Sequence, residues 1–479
     1  MAGAIREHWT LESRDRLRDS LAVAIRRAIE DGRVPPDGRL PPERALAERL
    51  GVSRTTVVAA YAALVKDGLL ARRTGSGTFV SPGRLARGRG ATRAEGPWLG
   101  SAELAGEASI DFRTAATEAD EAVVPALQMA VSRLPDVIGT HGYVRLGWGP
   151  LRRAIAEHLT TLGLRTTSDQ VLVTTGAQQA IDLVVSAAVG SQDAVVVENP
   201  TYPGALDVLR RANAQLVGVP VGISGVRSDQ VREAVAGTGA RLLYLQPTFS
   251  NPTGAVISTP ERQRLADLAA ELGLTIVEDL AFSELEVSDV EARPLIAGLA
   301  RPGAVLCIGS LNKLCWGGLR LGWIRGTAQQ ISRLANFKSA VDLSTSLPIQ
   351  MAGAYLLPRA EEVRQRRREQ LRARLAVLEE LLARWIPDWR WATPSGGMVL
   401  WVRLPTDDAE PFARLAHARG VDVVPGSNFS VDGSGAPFIR IPFCRPSEVL
   451  EAGVRRLAEA WRDLEDAPTY ESAASTPLV

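Results

Sequence analysis

The 479-residue sequence predicts a multidomain protein. We expect a mostly α-helical head with a two-stranded wing, followed by an α/β body that carries a smaller α+β part. The length itself is about three times the roughly 150 residues of one domain. The pattern also changes, from short amphipathic helices before residue 81 to alternating strands and helices after residue 108. A glycine- and arginine-rich stretch between them indicates a flexible linker. The predicted boundaries are 12–81 for the head, 82–108 for the linker, 109–465 for the body and 466–479 for a tail.

The composition excludes several classes of protein and reveals an uneven charge. Hydrophobic residues make up 46% and charged residues 23% of the chain, which excludes a disordered or collagen-like protein. The net charge is +1, but residues 1–95 carry 18 basic and 11 acidic side chains, so the remainder is acidic by six. A basic head on an acidic body is typical of a protein that attaches to nucleic acid.

The number and spacing of the cysteines indicate a protein of a reducing compartment. Cys307, Cys315 and Cys444 are odd in number and widely spaced, which argues against a disulfide framework. The four histidines form no cluster with them at zinc spacing, so we predict no metal site. The sequence shows no apolar signal segment and no run near the ~20 apolar residues that span a bilayer. We therefore expect a cytoplasmic protein.

The sequence of the head predicts three helices followed by a two-stranded wing. Apolar residues at Leu17, Leu21, Ile25 and Ile29 predict a first helix that ends near Gly32. The pattern then predicts a second helix over about 42–50, a third helix over 54–66 with Ser53 as its N-cap, and wing strands over 69–73 and 78–81. This order is that of a winged helix-turn-helix.

The residues that would contact DNA lie at the starts of the second and third helices and in the wing. Arginine can bond guanine with two hydrogen bonds, and threonine can meet a thymine methyl group or a phosphate. The alternative is a small helical domain with a solvated basic surface. Our candidate DNA-binding residues are Arg44, Ser53, Arg54, Thr55, Thr56, Arg72, Gly75, Ser76 and Gly77.

The head resembles the DNA-binding domain of the GntR family over nearly its whole length. The resemblance rests on Gly38-Arg-Leu-Pro41, on Leu50-Gly-Val-Ser-Arg-Thr-Thr-Val57 and on Gly75-Ser-Gly-Thr-Phe-Val80. Pro42 stands where that family often has serine. The resemblance implies binding to double-stranded DNA.

Apolar runs in the body alternate with helical stretches, which predicts a parallel sheet covered on both faces. We expect a large part over about 140–345 and a small part over about 360–465 that opens with a charged helix, Glu361 through Trp385. The predicted strands begin at Val171, Ala194, Leu242, Thr275 and Val305.

Lysine is scarce: Lys66, Lys313 and Lys338 are the only lysines among 55 basic residues. Lys313 follows a predicted strand in a glycine-rich loop. Pyridoxal phosphate (PLP) chemistry needs a lysine for a Schiff base, a carboxylate at the pyridine nitrogen, a phosphate cup and a partner for O3′. Each motif alone has an ordinary structural explanation, but their order and spacing together argue against coincidence. The candidate cofactor-binding residues are Gly176, Ala177, Gln178, Tyr202, Asn251, Asp279, Ser310, Lys313 and Arg320.

The order Gly-Ala-Gln, Pro-x-Tyr, Asn-Pro-x-Gly, Asp, Ser-x-x-Lys and Arg resembles that of fold-type I PLP aminotransferases. Arg440 matches the arginine that binds the substrate carboxylate in that family. A GntR head on such a body is similar to the MocR subfamily of transcription regulators, a group that includes GabR and PdxR. This resemblance implies a homodimer, with domain-swapped head-to-tail heads that bind an operator of paired half-sites.

The sequence departs from that pattern in three places. Ala281 and Phe282 stand where the family usually has a tyrosine that bonds O3′, Gly317 replaces a common proline, and Tyr143 is about one position away from the tyrosine that the family sends to a partner subunit. We expect a regulator that binds PLP as a Schiff base on Lys313, and an amino-acid or amine effector as an external aldimine, with little or no net turnover. The alternatives are a working aminotransferase that carries a DNA-binding domain, and a DNA-binding module whose body has lost PLP.

Overall fold

The computed structural model describes residues 21–22, 24–25, 40–66, 70–73, 77–80, 109–289 and 293–465. The chain divides into two compact units, Met1–Gly96 and Pro97–Val479. Most of the predicted first helix, the predicted linker 82–108 and the predicted tail 466–479 lie outside the described residues.

The head contains two helices and a two-stranded antiparallel ladder. Helix α1 (Glu43–Leu50) ends at Gly51, whose φ of 68° only glycine adopts without strain. Helix α2 (Arg54–Lys66) begins after Ser53, because the Ser53 Oγ accepts a hydrogen bond from the Thr56 N–H at 3.1 Å. Strands β1 (Leu70–Arg73) and β2 (Gly77–Val80) pair with each other. Leu46, Val57 and Tyr61 form part of the core beneath them.

The body is built on a seven-stranded sheet. In spatial order, its strands begin at Val171, Gly322, Val305, Thr275, Leu242, Ala194 and Gln215, and a further two-residue strand lies outside it. Alternate residues of one strand enter different cores: Val196 joins one cluster, while Val195 and Val197 join another. Both faces are therefore covered, as in a sheet of α/β type. The strands of this part are β3 (Ile110–Asp111), β4 (Val171–Thr174), β5 (Ala194–Asn199), β6 (Gln215–Pro220), β7 (Leu242–Leu245), β8 (Thr275–Asp279), β9 (Val305–Ser310) and β10 (Gly322–Arg325).

Nine helices of the described body pack around this sheet. They are α3 (Val123–Ser132), α4 (Gly149–Thr161), α5 (Ala177–Ala188), α6 (Pro203–Arg211), α7 (Ser228–Thr238), α8 (Thr259–Leu272), α9 (Ile296–Leu299), α10 (Ala328–Val341) and α11 (Leu347–Leu356).

One strand departs from the predicted parallel arrangement. Strand β10 is antiparallel to both of its neighbours, β4 and β9. The reason is its short connection, because residues 311–321 return directly from β9 and contain no crossover helix that a parallel strand would need. This returning loop carries Lys313 and Arg320, so the reversal brings both residues to the same end of the sheet.

The small part is an antiparallel four-stranded sheet with helices packed on it. Helix α12 (Ala360–Trp385) matches the predicted charged helix within one residue. In spatial order, its strands begin at Arg390, Val399, Phe438 and Val424, and a separate two-residue strand that begins at Val421 pairs in parallel with β3. The fold class, a winged helix-turn-helix head with an α/β body and a small α+β part, is confirmed. The remaining elements are β11 (Arg390–Trp391), β12 (Val399–Arg403), α13 (Glu410–Ala418), β13 (Val421–Asp422), β14 (Val424–Pro425), β15 (Phe438–Pro442) and α14 (Ser447–Glu465).

Within the described ranges, no helix is both long enough and apolar enough to cross a membrane.

Candidate ligand site and DNA-binding surface

The predicted cofactor residues gather at one edge of the seven-stranded sheet. Asp279 is the last residue of β8, Ser310 is the last of β9, and Gly176 lies two residues after the end of β4. Tyr202 and Asn251 lie in the loops after β5 and β7. Ligands of open α/β sheets bind at this edge, where the carboxyl ends of parallel strands meet.

Asp279 is buried and held by three donors. Its Oδ2 accepts hydrogen bonds from the Tyr244 hydroxyl at 2.7 Å and from Gln246 Nε2 at 3.2 Å, and its Oδ1 accepts one from the Ala281 N–H at 2.8 Å. Burial raises the pKa of this carboxyl, while the three hydrogen bonds and the charge of Lys313 oppose that rise. A cationic ring nitrogen placed against Asp279 would stabilise the carboxylate further.

Lys313 lies in the loop between β9 and β10. Its Nζ donates to the Ala115 carbonyl at 2.7 Å. Burial and the charges of Arg440 and Arg320 lower the pKa of Lys313 to about 8. An amine with such a pKa is partly neutral near pH 7, which is the form that attacks a carbonyl carbon.

The turn between β4 and α5 forms an anion-binding cup. Gly176 is the N-cap of α5 with a φ of 102°, and no side chain caps the helix there. A Cβ at Gly176 would lie 2.7 Å from Asn312 Nδ2 and 3.1 Å from an Arg320 guanidinium nitrogen, so only glycine leaves this space open. The first N–H groups of a helix have no acceptor within it, so those of Ala177 and Gln178 suit an anion.

Ser310 and Arg320 flank this cup but also hold the loop. The Ser310 hydroxyl donates to the Leu321 carbonyl at 2.9 Å, and it accepts from the Asn312 N–H at 3.1 Å. An Arg320 guanidinium nitrogen donates to the Thr175 carbonyl at 3.0 Å. Arg320 is otherwise exposed, so its remaining donors face the cup or solvent.

Tyr202 and Asn251 complete the predicted set. The Tyr202 hydroxyl donates to Gln178 Oε1 at 3.0 Å, and Gln178 Nε2 donates to the Gly204 carbonyl at 2.8 Å. The Gln178 side chain is therefore occupied by protein, and its backbone N–H is the part that remains for a ligand. Asn251 is buried, and its Oδ1 has no hydrogen-bond partner among the described residues.

Arg440 lies on β15 of the small part and is fully buried. It donates to the Arg113 carbonyl, and its guanidinium carbon lies 5.1 Å from the centre of the Phe429 ring. Burial lowers the pKa of Arg440 to about 10. A carboxylate would be a strong partner for a guanidinium at this buried position.

Three site side chains donate to one short stretch of main chain, residues 109–117, which we call the bridging segment. Arg440, Lys313 Nζ and Cys444 Sγ donate to the carbonyls of Arg113, Ala115 and Ala116. In the sequence, this segment comes directly after the predicted linker 82–108.

Sequence reasoning missed the residues that support the site from behind. Tyr244 and Gln246 hold Asp279, and Gln179 bonds the Thr175 N–H at 2.9 Å. Tyr244 lies within a predicted strand, yet nothing in the sequence indicates which face of the strand it occupies. Gln179 follows the motif Gly176-Ala-Gln directly, and this position is the sequence signal that indicates a supporting role.

Glu198, also missed, is a fully buried carboxyl at the end of β5. Its Oε2 accepts from the Gln246 N–H at 2.8 Å and the Ser250 hydroxyl at 3.3 Å, while Oε1 has no partner among the described residues. Burial, reinforced by the charge of Asp279, raises the pKa of Glu198 to about 8. The folded protein therefore keeps Glu198 protonated near neutral pH.

We expect Glu198→Gln to flatten the dependence of stability on pH. A carboxyl whose pKa is raised from 4.5 to about 8 stabilises the fold fully below pH 4.5, and this contribution is lost as pH rises through 8. Between those limits the wild-type protein should lose up to about 1.4 kcal/mol per pH unit relative to the variant. Urea unfolding from pH 5 to pH 8 measures the difference. The exposed Glu233→Gln on α7 is the control, and parallel curves for wild type and Glu198→Gln would contradict the burial argument.

The predicted DNA-contact residues of the helices lie on the outside of the head. Arg44, Ser53, Arg54 and Thr55 are exposed, and Thr56 is half-buried. The Ser53 Oγ lies 2.7 Å from the hydroxyls of both threonines, so these groups form a polar cluster at the start of α2. Gly75 and Ser76 lie outside the described residues, Arg72 is placed in β1 by its backbone only, and Gly77 begins β2.

Across the described part of the chain, no group of three or more histidine, cysteine, aspartate or glutamate side chains could hold a metal ion.

The donor set fits a phosphorylated pyridine aldehyde. The glycine cup at α5 suits a phosphate, the buried carboxylate of Asp279 suits a ring nitrogen, and Lys313 offers an amine. Asn251 adds a buried amide near this edge of the sheet, and its Oδ1 has no partner among the described residues.

Comparison with protein families accounts for both units. Residues 117–457 match the model of aminotransferase class I and II, and residues 17–80 match that of the bacterial regulatory proteins of the gntR family. The predicted combination of a GntR-type head with an aminotransferase-like body is thereby confirmed.

Individual relatives include a regulator that matches nearly the whole chain and aminotransferases that match a part of it. The chain is 27% identical to the HTH-type transcriptional regulator YdfD of Bacillus subtilis, over 92% of this chain and 95% of that protein. It is 35% identical to a 2-aminoadipate transaminase of Thermus thermophilus, over 66% of this chain and 80% of the enzyme. The crystal structure of LysN, an α-aminoadipate aminotransferase of Thermus thermophilus complexed with N-(5′-phosphopyridoxyl)-L-leucine, superposes with a TM-score of 0.71 at 30% identity, covering 80% of this chain and 98% of that one.

Proposed function

Since the chain belongs to the aminotransferase class I and II family and carries a gntR-type DNA-binding unit, we propose that it is a transcription regulator whose DNA binding responds to PLP held in its body. PLP is the cofactor that the family and the donor set indicate. When bound, PLP supplies an aldehyde that condenses with amines and a ring that accepts electron density.

Each predicted residue has a role in holding that group. Lys313 would hold the aldehyde carbon through Nζ, and its lowered pKa favours the neutral amine that this needs. Asp279 would keep the ring nitrogen protonated, with Tyr244 and Gln246 fixing its carboxylate. The phosphate would lie at the N-terminus of α5. The donors we propose for it are the N–H groups of Gly176, Ala177 and Gln178 and the side chains of Ser310 and Arg320, while Tyr202 would pack against the ring and Asn251 would bond O3′.

We propose a small amino acid or amine as a further effector, with its carboxylate on Arg440. A guanidinium that is fully buried gains most from an anionic partner, because water does not screen the pair. The pocket thus favours effectors that carry both an amine for the aldehyde and a carboxylate for Arg440.

The proposal that this site regulates the head rests on the contacts of the bridging segment. Lys313 and Arg440, the two groups that would hold the ligand, both donate to carbonyls of residues 109–117. A ligand that takes either donor competes with the bridging segment for it. A ligand shifts an equilibrium only if it binds two conformations unequally, and this competition provides that inequality.

A second candidate, a working aminotransferase with an attached head, is favoured by the complete set of Lys313, Asp279 and Arg440. Against it stand the regulator relative that matches nearly the whole chain and the absence of a hydroxyl at Ala281 and Phe282. Steady conversion of amino acids in the presence of several keto acids would favour the enzyme, and we expect little or none.

We further propose a homodimer. Large apolar side chains lie exposed on α3, in the turn after it and near the end of α10. Five of them are between 43% and 75% exposed, and association with a second copy would remove this apolar surface from water. These are Met129, Val131, Ile138, Val341 and Leu343. Two heads in one dimer would bind paired half-sites, and a head-to-tail exchange of heads is the arrangement that the MocR resemblance implies.

The test is the affinity of the full chain for DNA from upstream of its own gene, with and without PLP. We expect PLP to change the Kd at least about threefold in wild type, which corresponds to a coupling free energy of about 0.6 kcal/mol or more. Lys313→Ala, which cannot hold the aldehyde, should show one Kd under both conditions. An unchanged Kd in wild type that is saturated with PLP would contradict the regulator proposal.

A further inference from the structure

Lys338, one of three lysines in the chain, is buried on α10. Its side chain is 1% exposed, and its Nζ lies 2.5 Å from Asp342 Oδ1, one helical turn away. A buried ammonium destabilises a protein unless it is paired. This ion pair therefore fixes the Asp342 carboxylate just beyond the end of α10.

The ion pair continues into the β4–α5 turn through one side chain. Asp342 Oδ2 accepts a hydrogen bond from Gln179 Nε2 at 2.7 Å, and Gln179 Oε1 accepts one from the Thr175 N–H at 2.9 Å. The two ends of the Gln179 amide thus have different partners, a carboxylate and an N–H, which determine the orientation of the amide.

Thr175 is held on both sides of its peptide. Its N–H bonds to Gln179, and its carbonyl accepts from Arg320 at 3.0 Å. The next residue, Gly176, begins α5 without a side-chain cap. Anion binding at a helix N-terminus requires the free N–H groups to converge on one point, so the orientation of Thr175 determines where an anion can sit.

We propose that Lys338, Asp342 and Gln179 position the β4–α5 turn for the phosphate of the cofactor. They act through Thr175 and are positioning residues for the phosphate cup. This inference rests on the proposed function, because it concerns the cup that would hold PLP.

The proposal also explains why Lys338 is a lysine in a chain whose basic residues are nearly all arginine. An ammonium carries three donors on one compact atom, whereas a guanidinium carries five donors in a fixed plane. Lys338 is 1% exposed and lies beside Asp342, so an arginine at this position would leave several guanidinium donors without acceptors. Buried donors without acceptors are unfavourable.

The alternative is that these residues only brace α10 against α5. If these residues only stabilise the packing of the helices, their loss lowers the affinity for every ligand of the site equally. If they position the phosphate cup, their loss lowers the affinity only for ligands that carry the phosphate. Pyridoxal, which has the same ring and aldehyde but no phosphate, separates the two roles.

The experiment titrates the full-length protein with PLP and with pyridoxal and follows the visible absorbance. For Gln179→Met, which keeps the length of the side chain and removes both amide contacts, we expect the Kd for PLP to rise about tenfold. The Kd for pyridoxal should change less than about twofold. Gln263→Met, on the exposed face of α8, is the matched control and should leave both constants unchanged.

Asp342→Asn provides an independent variant, because it keeps the shape and an acceptor for Gln179 but removes the charge that Lys338 requires. We expect a rise of about threefold or more in the Kd for PLP alone. Equal losses for PLP and pyridoxal in both variants, or no loss in either, would overturn the positioning role. Failure of the wild-type protein to bind PLP would instead overturn the proposed function.

Discussion

Replacing Lys313 with alanine is expected to abolish the covalent attachment of PLP. The wild-type protein should show a visible absorbance band and, after borohydride reduction, a stable adduct of one PLP per chain on the peptide that contains residue 313. Lys313 is the one lysine that lies in the candidate site, and its pKa of about 8 favours reaction with an aldehyde. Absorbance spectra and peptide mass spectrometry measure both quantities.

Lys66→Ala is the matched control, because it removes a lysine from the head and leaves the body unchanged. We expect the same band and the same adduct as in wild type. A full adduct in Lys313→Ala, or a wild-type adduct on Lys338, would show that the site has been assigned to the wrong lysine.

Arg54→Ala is expected to weaken specific DNA binding about tenfold or more. Arg54 is exposed at the first position of α2, where such folds present side chains to the major groove, and one arginine contact to guanine contributes about 1–3 kcal/mol of discrimination. Affinity for the upstream fragment and for an unrelated fragment, measured at the same salt concentration, gives the loss of specificity.

Two further variants, measured on the same two fragments, show whether the effect of Arg54→Ala is specific. Arg44 is exposed on α1 beside Glu48, and as a phosphate contact its replacement by alanine should weaken both fragments alike. Arg403→Ala, on an exposed position of β12 in the body, should change neither. Equal losses for both fragments in Arg54→Ala would show that Arg54 contacts phosphate and does not read a base.

The sequence predicts best those features that depend on local pattern. Strands β4, β7, β8 and β9 begin at the residues where their apolar runs begin, and Gly51 ends α1 as predicted. Each of these features is determined by side chains within a few residues of the boundary. The antiparallel β10 was not predicted, because its direction depends on how the loop 311–321 returns.

The candidate site divides in the same way. Residues that sit in short motifs, such as Asn251 and Lys313, could be named from the sequence because the motif and the chemistry coincide. The residues that support them could not be named: Gln246 approaches Asp279 from the loop directly after β7, and Asp342 contacts Gln179, which lies 163 positions away in the chain. Such contacts result from tertiary packing, which leaves no periodic signal in one sequence.

The scarcity of lysine has a consequence for selectivity toward aldehydes. PLP in solution reacts with any accessible primary amine, and most proteins present many on their surfaces. In this body Lys338 is enclosed by its ion pair and Lys313 lies half-buried in the cleft, so no lysine stands on its open surface. An arginine-covered exterior is inert to this chemistry, because a guanidinium stays protonated. The side chains of the body should therefore react with an aldehyde only at the candidate site. The response of the protein would then follow the concentration of its cofactor, without side reactions on the surface.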